Sequence, residues 1–157
     1  MQHIELTCSF SVLSWGELPG DAQQVIEAAK EATFRAYAPY SGFSVGAAVL
    51  LEGDTIVTGN NQENAAFPSG LCAERTALFS ANALYPHTPV KIIAIAAQQE
   101  GKFLLDPIAP CGACRQVMVE CEQRFGKEIE IYLYGTEKIY YLKGIRNLLP
   151  LCFERVH

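Results

Sequence analysis

A chain of 157 residues has room for one domain with a sizeable core and too little for two. Half of its residues are hydrophobic and only 18% are charged, below the usual quarter, which suggests extra burial such as that between subunits. A formal net charge of -5, with no run of five like charges, argues against a nucleic-acid partner, because phosphate contacts need clustered Lys and Arg.

The first fifteen residues contain no basic region followed by a continuous apolar stretch, and no segment is long enough to span a membrane. The expected compartment is the cytoplasm, where six cysteines serve better as metal ligands, reactive groups or core residues than as disulfides. In the amino-terminal stretch Ile4, Leu6, Cys8, Phe10 and Val12 alternate with mostly polar neighbours, the period of a half-buried strand. An additional strand within residues 1–15 is therefore expected, with Cys8 as one small apolar side chain in its row.

Pro19-Gly20-Asp21 breaks the chain and opens a helix with Val25, Ala29, Ala32 and Ala36 on one face. Phe43 to Leu51 is short, apolar and β-compatible, and Glu52-Gly53-Asp54 turns the chain into a second strand over 55–58. The polar run from Gly59 to Asn64 has, by composition, the character of a solvated connection. A helix follows from Cys72 to about Ala83, with Ser69-Gly70 offering a cap and a turn.

Val90 to Ala97 is apolar apart from Lys91, as in a strand covered on both faces. Residues 98–109 read as a loop. A further helix runs from Cys111 to about Phe125, with Val117, Met118, Cys121 and Phe125 as its apolar stripe and Gly126 as its stop. Strands over 129–134 and 139–142 and a short helix over 146–149 complete the pattern. Alternating strands and helices predict a single α/β domain over 1–157, a three-layer α/β/α sandwich around a mixed sheet of about five strands.

The chemistry concentrates in two sulfur-bearing motifs, Cys72-Ala73-Glu74-Arg75 and Pro110-Cys111-Gly112-Ala113-Cys114-Arg115-Gln116. Each motif begins a predicted helix, where the partial positive charge of the N-terminus favours thiolates. Three thiolates complete three corners of a zinc tetrahedron. No fourth ligand lies near in sequence, so the spacing favours an open, catalytic zinc over a structural one. Glu74 is then assigned general acid/base work beside it. Arg75 would donate to the sulfurs and withdraw charge that would otherwise blunt the zinc. Two competing interpretations of Cys111-x-x-Cys114 are a thioredoxin-like redox pair and a structural zinc knuckle. The first does not account for Cys72-x-Glu74-Arg75, and the second lacks a second Cys or His pair.

Together these motifs resemble the cytidine deaminase family, in its small, three-cysteine type. Ala36-Tyr-Ala-Pro-Tyr-Ser-Gly-Phe-Ser-Val-Gly-Ala-Ala48, Asn61-Gln-Glu-Asn-Ala65 and Leu148-Leu-Pro150 with Phe153 extend the resemblance over about residues 29–153. The resemblance implies one zinc per subunit on Cys72, Cys111 and Cys114, activating the water that attacks C4 of a cytosine ring. Glu74 would carry protons from that water to N3 and assist departure of ammonia, the mechanism of the zinc base deaminases as a class. It further implies that the N–H of Ala73 holds the base carbonyl and Asn61 and Glu63 bind the ribose 3′-hydroxyl. Phe43 would pack on the pyrimidine and Phe153 would be offered near the base.

The implied activity is hydrolytic deamination of cytidine and 2′-deoxycytidine in pyrimidine salvage, by a homotetramer whose subunits share active sites. No cluster that would bind a phosphate is visible, which favours a free nucleoside. Deamination of a cytosine-containing antibiotic such as blasticidin, or a non-catalytic structural-zinc protein, are the alternatives. Two positions depart from the pattern: Phe67 stands where many relatives have Tyr, and Ala109 where Ser is frequent.

Overall fold

In a computed structural model, which describes residues 1–154, a seven-stranded sheet separates one helix on its first face from two on its second. The strands are β1 (Ser11–Leu13), β2 (Phe43–Leu51), β3 (Ile56–Asn60), β4 (Val90–Gln99), β5 (Lys102–Phe103), β6 (Glu130–Tyr134) and β7 (Ile139–Lys143). The helices are α1 (Gly20–Thr33), α2 (Ala73–Leu84) and α3 (Gly112–Phe125). The sandwich expected from the alternation of elements is present. Its sheet runs β1-β7-β6-β4-β2-β3, with β5 pairing β4; the two short strands β1 and β5 raise the number from about five to seven. Among the described residues no helix is long and apolar enough to cross a membrane.

Every pairing is antiparallel except β4 with β6, which run parallel and are joined through α3. A parallel pair needs such a crossover, and it places the start of α3 beyond the carboxyl end of β4. The start of α2 follows the end of β3 in the same way. Both helices lie on one face, so their N-termini meet at one end of the sheet.

The two cores follow from the period of the strands. Ala47, Val49, Ile93, Ile95, Ile131 and Leu133 face α2 and α3, while Ala48, Leu50, Ile92, Ala94 and Ala96 face α1. Strand β4 is covered on both sides, which is why its sequence is a continuous apolar run. Two glycines let helices approach the sheet closely. A Cβ at Gly46 would stand 2.1 Å from Ala29 O on α1, and one at Gly59 would stand 2.4 Å from Ala77 N on α2. Gly126 ends α3 in the left-handed conformation at φ 63°, as its position predicts.

The amino terminus departs from expectation. Only Ser11–Leu13 form a strand, paired to β7, while Ile4, Leu6, Phe10 and Val12 are exposed. Cys8 is exposed too and joins no apolar row. Alternation marks a potential face but cannot supply the layer that covers it; among these residues Phe10 finds the Tyr140 ring at 4.8 Å. Helix α1 also stops at Thr33, before Ala36, and the turn over 146–149 is a 3-10 turn at Ile145–Asn147.

Glu122, near the end of α3, ties the far side of the fold together. Its Oε1 accepts the backbone N–H groups of Ile129 and Ile145, each at 2.9 Å. Burial pushes its carboxyl above the usual value of 4.5, against the pull of those two N–H groups. A folded-state pKa above the unfolded one means a contribution to stability that is present below the unfolded value and lost as pH rises through the folded one. Glu122→Gln keeps an acceptor without the charge. Its melting temperature relative to wild type is therefore expected to rise as pH increases from below the unfolded value of 4.5 through the raised folded-state value. A difference that stays constant over that range would count against the assignment.

Candidate active site

Cys72 and Cys111 are the N-cap residues of α2 and α3, and Cys114 lies in the first turn of α3. Neither cap side chain makes a capping hydrogen bond, so both sulfurs are left for other work. The cap expected at Ser69-Gly70 is a 3-10 turn, Phe67–Ser69, that precedes the helix instead. The three Sγ atoms lie within 4.8 Å of one another, with Cys72–Cys111 at 3.8 Å and Cys111–Cys114 at 3.4 Å. Zinc–sulfur bonds of about 2.3 Å in a tetrahedron imply sulfur separations of about 3.8 Å, so the donor set fits zinc. The cluster runs from buried Cys114 through half-buried Cys72 to exposed Cys111, open on one side.

Among the described residues the cluster holds these three ligand atoms and does not include Glu74. Glu74, in the first turn of α2, is only 5% exposed and lies beside Cys114. Burial pushes its carboxyl above the usual range, opposed by its own backbone N–H, the Cys114 thiol and the charge of Arg75. Burial also opposes ionisation of Cys111, but the Cys114 N–H and the neighbouring thiols outweigh it and hold that thiol low. Cys114 is pushed far up by burial and then by the negative charge of Glu74. Arg75 Nη2 stands 3.6 Å from Cys72 Sγ, and this contact raises the already high pKa of the guanidinium.

A cavity of about 490 Å³ adjoins the cluster, lined by Tyr40, Ser41, Asn61, Glu63, Cys72 and Arg75 among others. That volume suits a small organic molecule. The polar run that composition assigns to solvent is in fact a hydrogen-bonded hub. Gln62 exchanges backbone hydrogen bonds with Leu71, while Tyr37 N donates to Asn61 O and Glu63 N to Tyr37 O. The Asn61 amide spans β2: its Oδ1 accepts Val45 N at 2.8 Å and its Nδ2 donates to Phe43 O at 2.9 Å. One amide hydrogen and one lone pair then remain for a ligand. Asn61→Ala should lower stability by about 2 kcal/mol, because both backbone groups lose their partner. An unchanged urea midpoint would contradict that bridging role.

Phe43, at the start of β2, is reached through these same bonds, and Ala73 is the first residue of α2, fully buried. Phe153 stands apart. The residue is 82% exposed and does not line the cavity. Residues that sequence reasoning left unassigned hold it there: Gln116 Nε2 donates to Phe153 O at 2.7 Å, and Phe153 N donates to Gln116 Oε1 at 3.2 Å. Arg115 likewise donates to Pro110 O and Leu148 O, at 2.8 and 2.7 Å. Both lie inside the second cysteine motif, so the motif marked them without revealing partners more than thirty residues away.

Residues 19–126 match the family described as the cytidine and deoxycytidylate deaminase zinc-binding region. The chain belongs to that family. This deaminase-family chain is 46% identical over 134 residues to a cytidine deaminase from Halalkalibacterium halodurans, covering 85% of this chain and 94% of that protein. It is also 46% identical over 136 residues to one from Sporosarcina psychrophila, with 86% and 93% covered. Its fold superposes on the crystal structure of a cytidine deaminase from Burkholderia pseudomallei with a TM-score of 0.72 at 41% identity, covering 87% of this deaminase-family chain and all of that one.

Proposed function

We propose that this protein is a zinc-dependent hydrolytic deaminase that converts cytidine and 2′-deoxycytidine to uridine and 2′-deoxyuridine with release of ammonia, in pyrimidine salvage. The carrying observation is the three-thiol cluster at the meeting point of two helix N-termini, with a buried carboxyl beside it and a nucleoside-sized cavity adjoining it. The relatives, named cytidine deaminases, support the choice of substrate.

Cys72, Cys111 and Cys114 would hold one zinc per subunit. Zinc, when bound, supplies Lewis acidity that acidifies a water for attack on C4 of the cytosine ring. Glu74 would take one proton from that water and deliver it to N3, then take the second from the hydroxyl added at C4 and pass it to the amino group, which leaves as ammonia while the C4 carbonyl forms. Its burial beside the cluster suits a group that must pass a proton in both directions at neutral pH. Arg75 offsets the negative charge of the thiolates through Cys72.

The N–H of Ala73, in the first turn of α2, holds the base carbonyl, since such groups lack intrahelical partners. Phe43 packs on the pyrimidine. Asn61 gives its remaining amide hydrogen to the ribose 3′-hydroxyl, which in turn donates to Glu63. Phe153, held outward by Gln116, meets the base in the site of another subunit, in a cytoplasmic homotetramer. The purified protein should lower the ultraviolet absorbance of cytidine as uridine forms, contain one zinc per chain, and elute at the mass of four chains. Absence of turnover with full zinc content would overturn the proposed activity.

A further inference from the structure

We propose that Ser41 is a positioning residue that fixes Glu63 for a single sugar hydroxyl and couples it to Phe43; this rests on the nucleoside reading above. The loop after α1 carries Ser41 to the cavity wall, where its Oγ donates to Glu63 Oε1 at 2.5 Å and accepts Phe43 N at 3.0 Å. Glu63 Oε2 accepts the backbone N–H groups of Tyr40 and Ser41, at 2.8 and 3.3 Å. The carboxylate thus spans a loop twenty-two residues earlier in the chain, and four atoms of Tyr40, Ser41 and Phe43 lock into one network.

Counting acceptor sites gives the consequence. A carboxylate has about four lone-pair positions, two on each oxygen. Oε2 is filled by its two N–H partners, and Ser41 fills one position on Oε1. One position therefore remains, on Oε1, and it can accept one hydroxyl. The Ser41 hydroxyl chooses which position that is. The same hydroxyl accepts the backbone N–H of Phe43, so the sugar contact and the residue proposed to pack on the pyrimidine share one atom. The Ser41 bond, followed by the Tyr40 N–H, also holds the Glu63 carboxyl below its usual range, which keeps it an acceptor.

Removing the hydroxyl leaves Glu63 held through Oε2 alone, with Oε1 no longer aimed by Ser41, so its loss should appear in ground-state binding of the sugar. In Ser41→Ala the KM for cytidine is expected to rise about 10-fold with kcat within about twofold, the size expected for one charged hydrogen bond. The KM for 3′-deoxycytidine should change less than about twofold, since that substrate offers no hydroxyl. Ser41→Thr, which restores the hydroxyl, should return cytidine to wild-type behaviour. In a Glu63→Ala background Ser41→Ala should add little further loss, which keeps the test valid even if Ser41→Ala loosens the loop.

Equal losses for cytidine and 3′-deoxycytidine, an unchanged KM, additive losses with Glu63→Ala, or a fall in kcat alone would each overturn the positioning role. These outcomes are read in variants of an active wild type. Failure of the wild-type protein to deaminate cytidine at all would instead overturn the proposed activity.

Discussion

Glu74→Gln is expected to lower the turnover of cytidine by about 10²- to 10⁴-fold, the contribution of a well-placed acid/base group. Zinc content and folding should survive. The amide has the shape of the carboxyl it replaces, and the side chain sits in the first turn of α2 with 5% of its surface exposed. It is not among the three clustered ligand atoms, so a neutral substitute does not remove a donor to the metal. Burial also disfavours the charged form at this position, so removing the charge costs no stability. The expected combination is an inactive protein with one zinc per chain and a melting temperature at or above that of wild type. Turnover within a factor of about ten would show that Glu74 does not move the proton. Loss of zinc would show instead that it is a ligand.

Gly59→Ala is expected to be, with Gly46→Ala, among the most damaging small substitutions in the sheet. The added Cβ would stand 2.4 Å from Ala77 N and 2.6 Å from Ala73 O. Both are backbone atoms of α2, so no side chain can rotate away, and the helix itself must lift from β3. Overpacking of a tight site costs about 1–3 kcal/mol and more where backbone must move, so a loss of at least about 3 kcal/mol is expected. The displaced turn carries Glu74 and follows Cys72, so zinc retention should fall together with stability. Gly16→Ala is the control: nothing lies within 4 Å of its Cβ position. A chemical-denaturation midpoint for Gly59→Ala equal to that of Gly16→Ala would refute the close approach.

Some elements are legible in the chain because their signal is local. Strand β4 shows itself as an apolar run, and the two cysteine motifs mark helix starts directly. Other features depend on partners that spacing does not disclose. β5 has two residues and exists through its pairing with β4. The alternation of Ile4 to Val12 is real, yet among the described residues no layer covers it, and only Ser11–Leu13 form a strand. The bridging by Asn61 depends on the antiparallel register that sets Gly46 opposite Asn60, which a polar composition cannot reveal. The thiol cluster was legible as chemistry, whereas the outward placement of Phe153 depends on a contact with Gln116 across 37 residues.

Cys114, Arg115 and Gln116 are consecutive on α3, and each addresses a different partner: the sulfur cluster, the Leu148 carbonyl and the Phe153 backbone. Consecutive helical residues point about 100° apart, so three neighbours fan around most of the helix axis. The rotational phase of α3 is thereby pinned from three directions at its first turn. Inserting one residue at this turn would swing all three groups out of register at once, while an insertion in the surface loop ahead of Pro110 would leave their phase intact. The unbroken order of the three residues is a mechanical requirement of the helix as well as a chemical one.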